Sequence, residues 1–168
     1  MLGEIREAIK SYYEVYFAIS AIYEKLAKIH GLTSSSLFVL YMLYEYQGQC
    51  TQHFICEKLL YPKQTVNTIL AAFANKGYIS KAVAPADKRN KQIFLTETGK
   101  QYAGLVLAAM LHMEEVSFAN MDAAKRNAML NGERAFLQQL TQSLHSLEQA
   151  AGSSQAVLPQ PDKGEERK

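Results

Sequence analysis

The sequence predicts a mainly α-helical chain with one small β-hairpin, a compact helical module held between long flanking helices. Three observations lead there. Over 63–75, Val66, Ile69, Leu70 and Phe73 recur at i, i+3, i+4 and i+7, one apolar stripe of a helix that faces a core. Beyond Gly77 the period changes: 78–83 and 92–96 are short runs rich in aromatic and β-branched residues, separated by a charged segment over 84–91, which predicts a two-stranded hairpin. The flanks carry stripes too long for the interior of a small domain. Ile5, Ile9, Tyr12, Tyr16, Ile19, Tyr23 and Leu26 alternate four and three apart, with Tyr13 and Phe17 widening the seam, and Met129, Leu130, Leu137, Leu140, Leu144 and Leu147 line a second helix.

The elements follow in order. A first helix over 3–29 ends at Gly31, and Thr33 caps a helix running to 46. That second helix is apolar nearly all round, with Leu37, Phe38, Leu40, Tyr41, Leu43 and Tyr44, so it is expected to be buried. Gly48 closes it, and Gln49-Cys50 is expected to form a strand stub beside the hairpin. Thr51 caps a short helix over 51–60. Tyr61-Pro62 breaks it, with Pro62 expected in the first turn of the 63–75 helix, where its missing N–H has no intrahelical partner, and Gly77 in the left-handed position past that helix's end. Lys63, Gln64, Asn67, Thr68 and Ala71 then lie on the outward face. Thr96 caps a helix over 97–119 with Tyr102, Leu105, Ala109, Met113 and Val116 along one side. Asp122 opens the last helix, in which Gly132 marks a bend. From Gly152 the chain turns polar and proline-containing, as a flexible tail does. The expected organisation is an N-terminal dimerisation helix (1–31), a central module (32–98), C-terminal dimerisation helices (99–150) and the tail (151–168).

With 168 residues, 48% of them hydrophobic, the chain can bury one core plus an interface. It holds no repeat, no run long enough to span a bilayer, and no signal peptide in Met1-Leu-Gly-Glu-Ile-Arg-Glu, so cytoplasm is the expected compartment and no membrane partner is expected. Cys50 and Cys56 lack the spacing and neighbours of a disulfide framework or a zinc site. Cys56 reads as a small apolar packing residue between two helices, and a thiol redox switch at Cys50 or Cys56 is the other reading. His112 with Glu115 and His145 with Glu148 stand three apart on helices, the reverse of the Glu-then-His order of carboxylate-bridged metal sites, so both pairs read as solvated faces. No phosphate loop, nucleophile elbow or catalytic triad is visible. No metal, cofactor or enzymatic activity is expected.

Charge points to the partner. The chain is only +2 overall, yet from 62 to 91 it carries Lys63, Lys76, Lys81, Lys88, Arg89 and Lys91 against the single acid Asp87. Two short helices joined by a sharp turn and followed by a basic hairpin form a helix-turn-helix with a wing, an arrangement that places one helix in a DNA major groove and the hairpin on the flanking backbone or minor groove. Here the sequence resembles the multiple antibiotic resistance regulator (MarR) family of bacterial transcription factors. Asp87-Lys-Arg89-Asn-Lys-Gln-Ile-Phe-Leu95-Thr96-Glu-Thr-Gly99 is similar to its wing signature, and Pro62-Lys-Gln-Thr-Val-Asn67 with Lys76-Gly77-Tyr78 to its recognition helix and exit. The resemblance extends over 5–150 by the order of elements.

It implies an intertwined homodimer that binds double-stranded DNA as a ligand-responsive repressor. On the reading helix Lys63, Gln64, Thr65, Asn67 and Thr68 are the candidate DNA contacts. On the wing they are Asp87, Lys88, Arg89 and Lys91, with the Asp87 carboxylate orienting the Arg89 guanidinium. Carboxamides match adenine's paired donor and acceptor, the reading face has no arginine for guanine, and a wing arginine favours a narrow minor groove, so an A·T-rich inverted repeat is the expected site. Tyr12, Tyr13, Tyr16, Tyr41 and Tyr44 lie where the resembled family has a crevice for small aromatic or apolar effectors. Tyr12, Tyr16, Tyr41 and Tyr44 are the candidate effector residues, with edge-of-core aromatics as the alternative. Ala71 and Ala72 stand where relatives commonly have longer polar side chains. They keep open a ligand- or partner-binding dimer of the same fold without sequence-specific DNA recognition.

Overall fold

The computed structural model describes residues 2–84 and 87–155, the side chains of 83–90 and 152–155 excepted. Six helices and one hairpin follow in the order α1 (Leu2–Ile29), α2 (Ser34–Glu45), α3 (Gln52–Leu59), α4 (Lys63–Asn75), β1 (Ile79–Ala84), β2 (Asp87–Leu95), α5 (Glu97–Asn120) and α6 (Ala123–Gln155). Among the described residues no single helix is long and apolar enough to cross a membrane. The chain divides into two compact units, Met1–Glu114 and Glu115–Lys168.

The first unit is built around α2. Leu37, Val39, Leu40, Met42 and Leu43 are all buried, as an all-round apolar helix requires. Around them close Ala27 and Leu32, Ile55 of α3, the Val66–Ile69–Leu70–Phe73 stripe of α4, Ile79, Ile93 and Leu95 of the hairpin, and Ala103, Val106, Leu107 and Met110 of α5. Burial of each of those α4 side chains is worth roughly 2 kcal/mol, so α4 is docked mainly by its inner face. Thr33 accepts from the Ser36 N–H at 3.2 Å and Thr51 from the Phe54 N–H at 3.1 Å, the side-chain caps foreseen for α2 and α3. Glu24 reaches from α1 to accept the Ser34 N–H at 3.0 Å, and that hydrogen bond holds its carboxyl below the ordinary carboxylate range.

Four expectations change. Pro62 is the N-cap residue of α4 (φ −57, ψ 140) and the helix begins at Lys63, so its fixed φ directs the entry of the chain and not the first turn itself. The turn between α3 and α4 is made by Leu60, left-handed at φ 54, where no glycine announces it. The extended stub lies one residue later than expected: Thr51 bridges Gln92, while the Ile93 N–H donates to the Cys50 carbonyl at 2.8 Å. The buried face of α5 is Ala103, Val106, Leu107 and Met110, one step round from the stripe read in sequence, and Leu105 of that stripe is 68% exposed. α5 is apolar on two faces, and the smaller side chains allow the closer approach.

That approach is set at Gly99. A Cβ there would overlap the Tyr78 carbonyl oxygen. Thr96 holds the same junction: its hydroxyl donates to the Gly77 carbonyl at 2.6 Å and accepts from the Gly99 N–H at 3.0 Å, while its own N–H donates to the Tyr78 carbonyl at 3.0 Å. The Tyr78 and Tyr102 rings stack at 4.4 Å, and the Tyr102 hydroxyl donates to the His30 carbonyl at 3.2 Å. The exit of α4 is thereby tied to the start of α5 and the end of α1.

In α1 the seam divides. Tyr23 and Leu26 pack against the core, whereas Ile5, Ile9, Tyr12, Tyr16 and Ile19 remain exposed. In the second unit Asp122 caps α6 by accepting from the Ala124 N–H at 2.8 Å, and Arg126 donates to the Phe118 carbonyl at 2.6 Å. α6 runs unbroken through Gly132 and ends at Gln155, past the point where the sequence turns polar. Leu137, Leu140, Leu144 and Leu147 are exposed along it. Residues 156–168 of the expected tail lie outside the described residues.

Two outcomes follow from this packing. Gly99→Ala forces α5 off the Tyr78 carbonyl and is expected to lower stability by about 2–3 kcal/mol, read as a shift of the urea midpoint at unchanged slope; a midpoint within error of wild type would show that the junction yields freely. Tyr23 donates to Glu114 at 2.6 Å, and burial, then that hydrogen bond and the Glu114 charge, push its phenol up to about 12. Because the folded state holds the proton more tightly, this stability is complete below the ordinary phenol range near 10 and is lost as pH rises toward 12. Tyr23→Phe is expected to flatten the fall in stability between pH 10 and pH 12; an equally steep fall in the variant would refute the assignment.

Candidate nucleic-acid interface

The outward face of α4 is free of the core. Lys63, Gln64, Asn67 and Thr68 are exposed, as are Ala71 and Ala72, while Thr65 is half-buried beside Val66. The Thr68 hydroxyl donates to the Gln64 carbonyl one turn back at 3.0 Å, which leaves its oxygen and methyl group outward. Gln64 and Asn67 therefore present two carboxamides one turn apart, flanked by small side chains. The first turn of α4 has no acid and no side-chain cap.

The hairpin is stitched to the helices at its base. Besides the Ile93–Cys50 bond, the Gln92 side chain donates to the Gly48 carbonyl at 3.0 Å. Cys50 is buried there and its thiol donates to the Met42 carbonyl at 3.2 Å; burial pushes it up to about 11, the behaviour of a packing residue and not of a ready thiolate. In the register Ile79 faces Leu95, Lys81 faces Ile93 and Val83 faces Lys91. β2 begins at Asp87, so most of the charged segment expected as a tip is strand, and Asp87 opposes Ala84 with 88–90 taken up in an irregularity. The backbones of Asp87, Lys88 and Arg89 are thus on β2. Their side chains, including the expected carboxylate–guanidinium pair, lie outside the described residues. Lys91 is exposed.

Residues two apart on a strand share a face. Ile79 and Lys81 on β1, with Lys91, Ile93 and Leu95 on β2, are therefore on the face turned to the helices, where the three apolar members are buried. Where the apolar supply runs out, a cavity of about 370 Å³ opens between α3, α4 and the hairpin, lined by Gln52, His53, Cys56, Lys63, Leu70, Lys81, Lys91 and Ile93. Gln52 donates across it to the Lys63 carbonyl at 3.2 Å, and His53 pairs with Glu57 at 3.2 Å on the outer surface of α3. Sequence reasoning counted Lys81 among the basic residues without assigning it a place. The alternation Ile79-Ser-Lys81 against Lys91-Gln-Ile93 carried the signal.

The four candidate effector tyrosines fall into two groups. Tyr12 and Tyr16 stack on the exposed side of α1 with ring centroids 6.1 Å apart, whereas Tyr41 and Tyr44 are half-buried against the core, and none of the four lines the cavity. Burial and then the carboxylates of Glu45 and Glu114 raise the Tyr41 phenol above its ordinary value. Among the described residues no three His, Cys, Asp or Glu side chains gather as a metal site. His145 sits 3.9 Å from Glu148 on the open surface of α6.

A short helix, a tight turn, a second helix with a polar outer face, and an antiparallel hairpin stitched to both define a winged helix-turn-helix. Residues 30–90 match the family model described as MarR family, so that segment is similar to the family's winged helix-turn-helix. The fold is shared with solved structures over most of the chain. A DNA complex of MepR from Staphylococcus aureus is 22% identical, with a TM-score of 0.66, covering 76% of this chain and 97% of that one. The MarR family regulator NMB1585 from Neisseria meningitidis is 27% identical, with a TM-score of 0.69, covering 84% and 98%. A MarR transcriptional regulator from Methanosarcina mazei is 21% identical, with a TM-score of 0.62, covering 81% and 98%. No curated protein matches the chain.

Proposed function

We propose that this protein is a dimeric, sequence-specific DNA-binding transcriptional regulator, a ligand-responsive repressor of the cytoplasm whose site is an A·T-rich inverted repeat. The observation that carries the reading is the α4 surface: Lys63, Gln64, Asn67 and Thr68 stand clear of the core on a helix whose first turn has no acid, beside a hairpin bearing Lys91. A helix so presented fits the major groove, and the hairpin beside it falls on the flanking backbone. MepR, a relative of this fold, has been solved bound to DNA. Gln64, Thr65, Asn67 and Thr68 would read base edges, Lys63 would hold phosphate, and Asp87, Lys88, Arg89 and Lys91 would serve the wing.

The dimer is supported by what the fold leaves uncovered. Ile5, Ile9, Tyr12, Tyr16 and Ile19 of α1 and Leu137, Leu140, Leu144 and Leu147 of α6 are each at least 40% exposed. Contiguous apolar stripes of this length mark an interface. Segments 1–31 and 99–150 would form the dimer and 32–98 the reading head. A small aromatic or apolar effector bound near Tyr12, Tyr16, Tyr41 and Tyr44 would act by favouring a spacing of the two heads that does not match DNA. The exposed Ala71 and Ala72 favour a second reading, a ligand- or partner-binding dimer with no sequence preference.

Selection from random duplexes separates the two. An A·T-rich pseudo-palindrome with half-sites about one helical turn apart is expected, with Asn67→Ala relaxing one position in each half. Enrichment of G·C-rich half-sites, or of no common sequence, would overturn the site and leave the second reading. Arg89→Ala is expected to weaken all duplexes alike and to lower the salt slope by about one. Sedimentation is expected to give a dimer at micromolar concentration, and a folded monomer there would refute the assembly.

A further inference from the structure

We infer that the cavity between α3, α4 and the hairpin is a seat for a backbone phosphodiester of bound DNA, closed around it by Lys63, Lys81 and Lys91. The inference rests on the DNA-binding reading, and it adds a place inside the module where the duplex is gripped, together with Lys81, which neither the reading face nor the wing tip contains.

The geometry points there in three ways. Among the described residues Lys81 and Lys91 are the members of the hairpin's helix-facing side that are not apolar: they follow Ile79 and precede Ile93 in the period-two alternation, and while exposed they line the cavity against α3 and α4. Lys63, the first residue of α4, meets them across the cavity. Three lysines so line one volume, and no carboxylate is among its described lining residues. On α3 the exposed Glu57 carboxylate lies 3.2 Å from the His53 ring. Like charges gathered at one end of a cavity repel, and without a counter-anion the arrangement costs stability. A phosphodiester supplies that anion.

Shape agrees with charge. At about 370 Å³ the cavity is far larger than one phosphate group, and its floor is the apolar pair Leu70 and Ile93 with the Cys56 thiol. An anion seated at the lysines with an apolar sugar edge against that floor matches a nucleic-acid backbone. The position follows as well. The cavity lies between the start of the reading helix and the base of the hairpin, so a strand passing from the major groove under α4 toward the wing must cross its mouth.

The two cysteines provide the test. Cys56 lines the cavity, whereas Cys50 is fully buried, so in the free full-length protein an anionic aromatic disulfide should label one thiol quickly, by exchange that joins a reagent sulfur to Cys56 and releases the aryl thiolate. Saturating duplex is expected to slow this labelling at least tenfold. In parallel, Lys81→Ala should lower the slope of log affinity against log salt by about 0.9, the loss of one phosphate contact, and Lys81→Arg should restore it; circular dichroism of both variants should match wild type. DNA that binds with Cys56 still labelled at the free rate and with an unchanged slope in Lys81→Ala would overturn the seat while leaving the DNA-binding reading intact. Protection of Cys56 by inorganic phosphate at matched ionic strength, but not by duplex, would assign the cavity to a free anion and equally overturn it. A wild-type protein that binds no duplex would remove the reading and the seat together.

Discussion

The whole module depends on one close approach, that of the α5 backbone at Gly99 to the carbonyl of Tyr78. Because nothing larger than hydrogen fits there, α5 can begin directly behind the exit of α4, and Thr96 can bond to Gly77, Tyr78 and Gly99 at once. The Tyr78–Tyr102 stack and the Tyr102–His30 hydrogen bond extend the same connection to α1. A displacement of α1 against α5 therefore has a short mechanical route to the angle at which α4 leaves the core. Interior packing is bistable rather than freely deformable, so such a route transmits discrete changes.

Much of this was written locally. The α4 stripe, the caps at Thr33, Thr51, Thr96 and Asp122, and the left-handed glycines at Gly31, Gly48 and Gly77 each follow from a residue acting on its near neighbours, and each stands where the sequence reading put it. Four features resisted, and all depend on tertiary context. Leu60 adopts a conformation that its side chain disfavours because α3 and α4 are both held by their buried faces. The core-facing side of α5 was left unassigned, because it is set by Gly99 and Ala103 and small residues make no apolar stripe, although they are what a close crossing selects. The Thr51–Gln92 bridge displaced the expected stub because the pairing is chosen by the hairpin. The charged segment was read as a loop, whereas most of it continues β2.

The candidate site was legible to a different degree. Outward residues of α4 could be listed from periodicity alone, since a helix with one apolar stripe has only one direction left to face. The cavity could not, because it arises from a mismatch between two elements: the hairpin extends beyond the apolar residues that α3 and α4 offer it. Lysines inside a strand's alternation normally read as solvent-facing positions. Lys81 and Lys91 are exposed, yet they sit in phase with the buried Ile79 and Ile93, on the side of the hairpin that faces the helices.

The unequal lengths of the two strands bear on how such a protein changes over generations. β1 has six residues and β2 nine, and the three extra, 88–90, are absorbed between the rungs that pair Val83 with Lys91 and Ala84 with Asp87. Below that irregularity the ladder from Ile79 to Val83 keeps its own register, fixed by Ile79, Ile93 and Leu95 against the core. Residues can thus be gained, lost or exchanged above Val83 without turning a buried side chain outward. The fold separates a base of the hairpin whose register is fixed by the core from a segment above it whose length can change without disturbing that register.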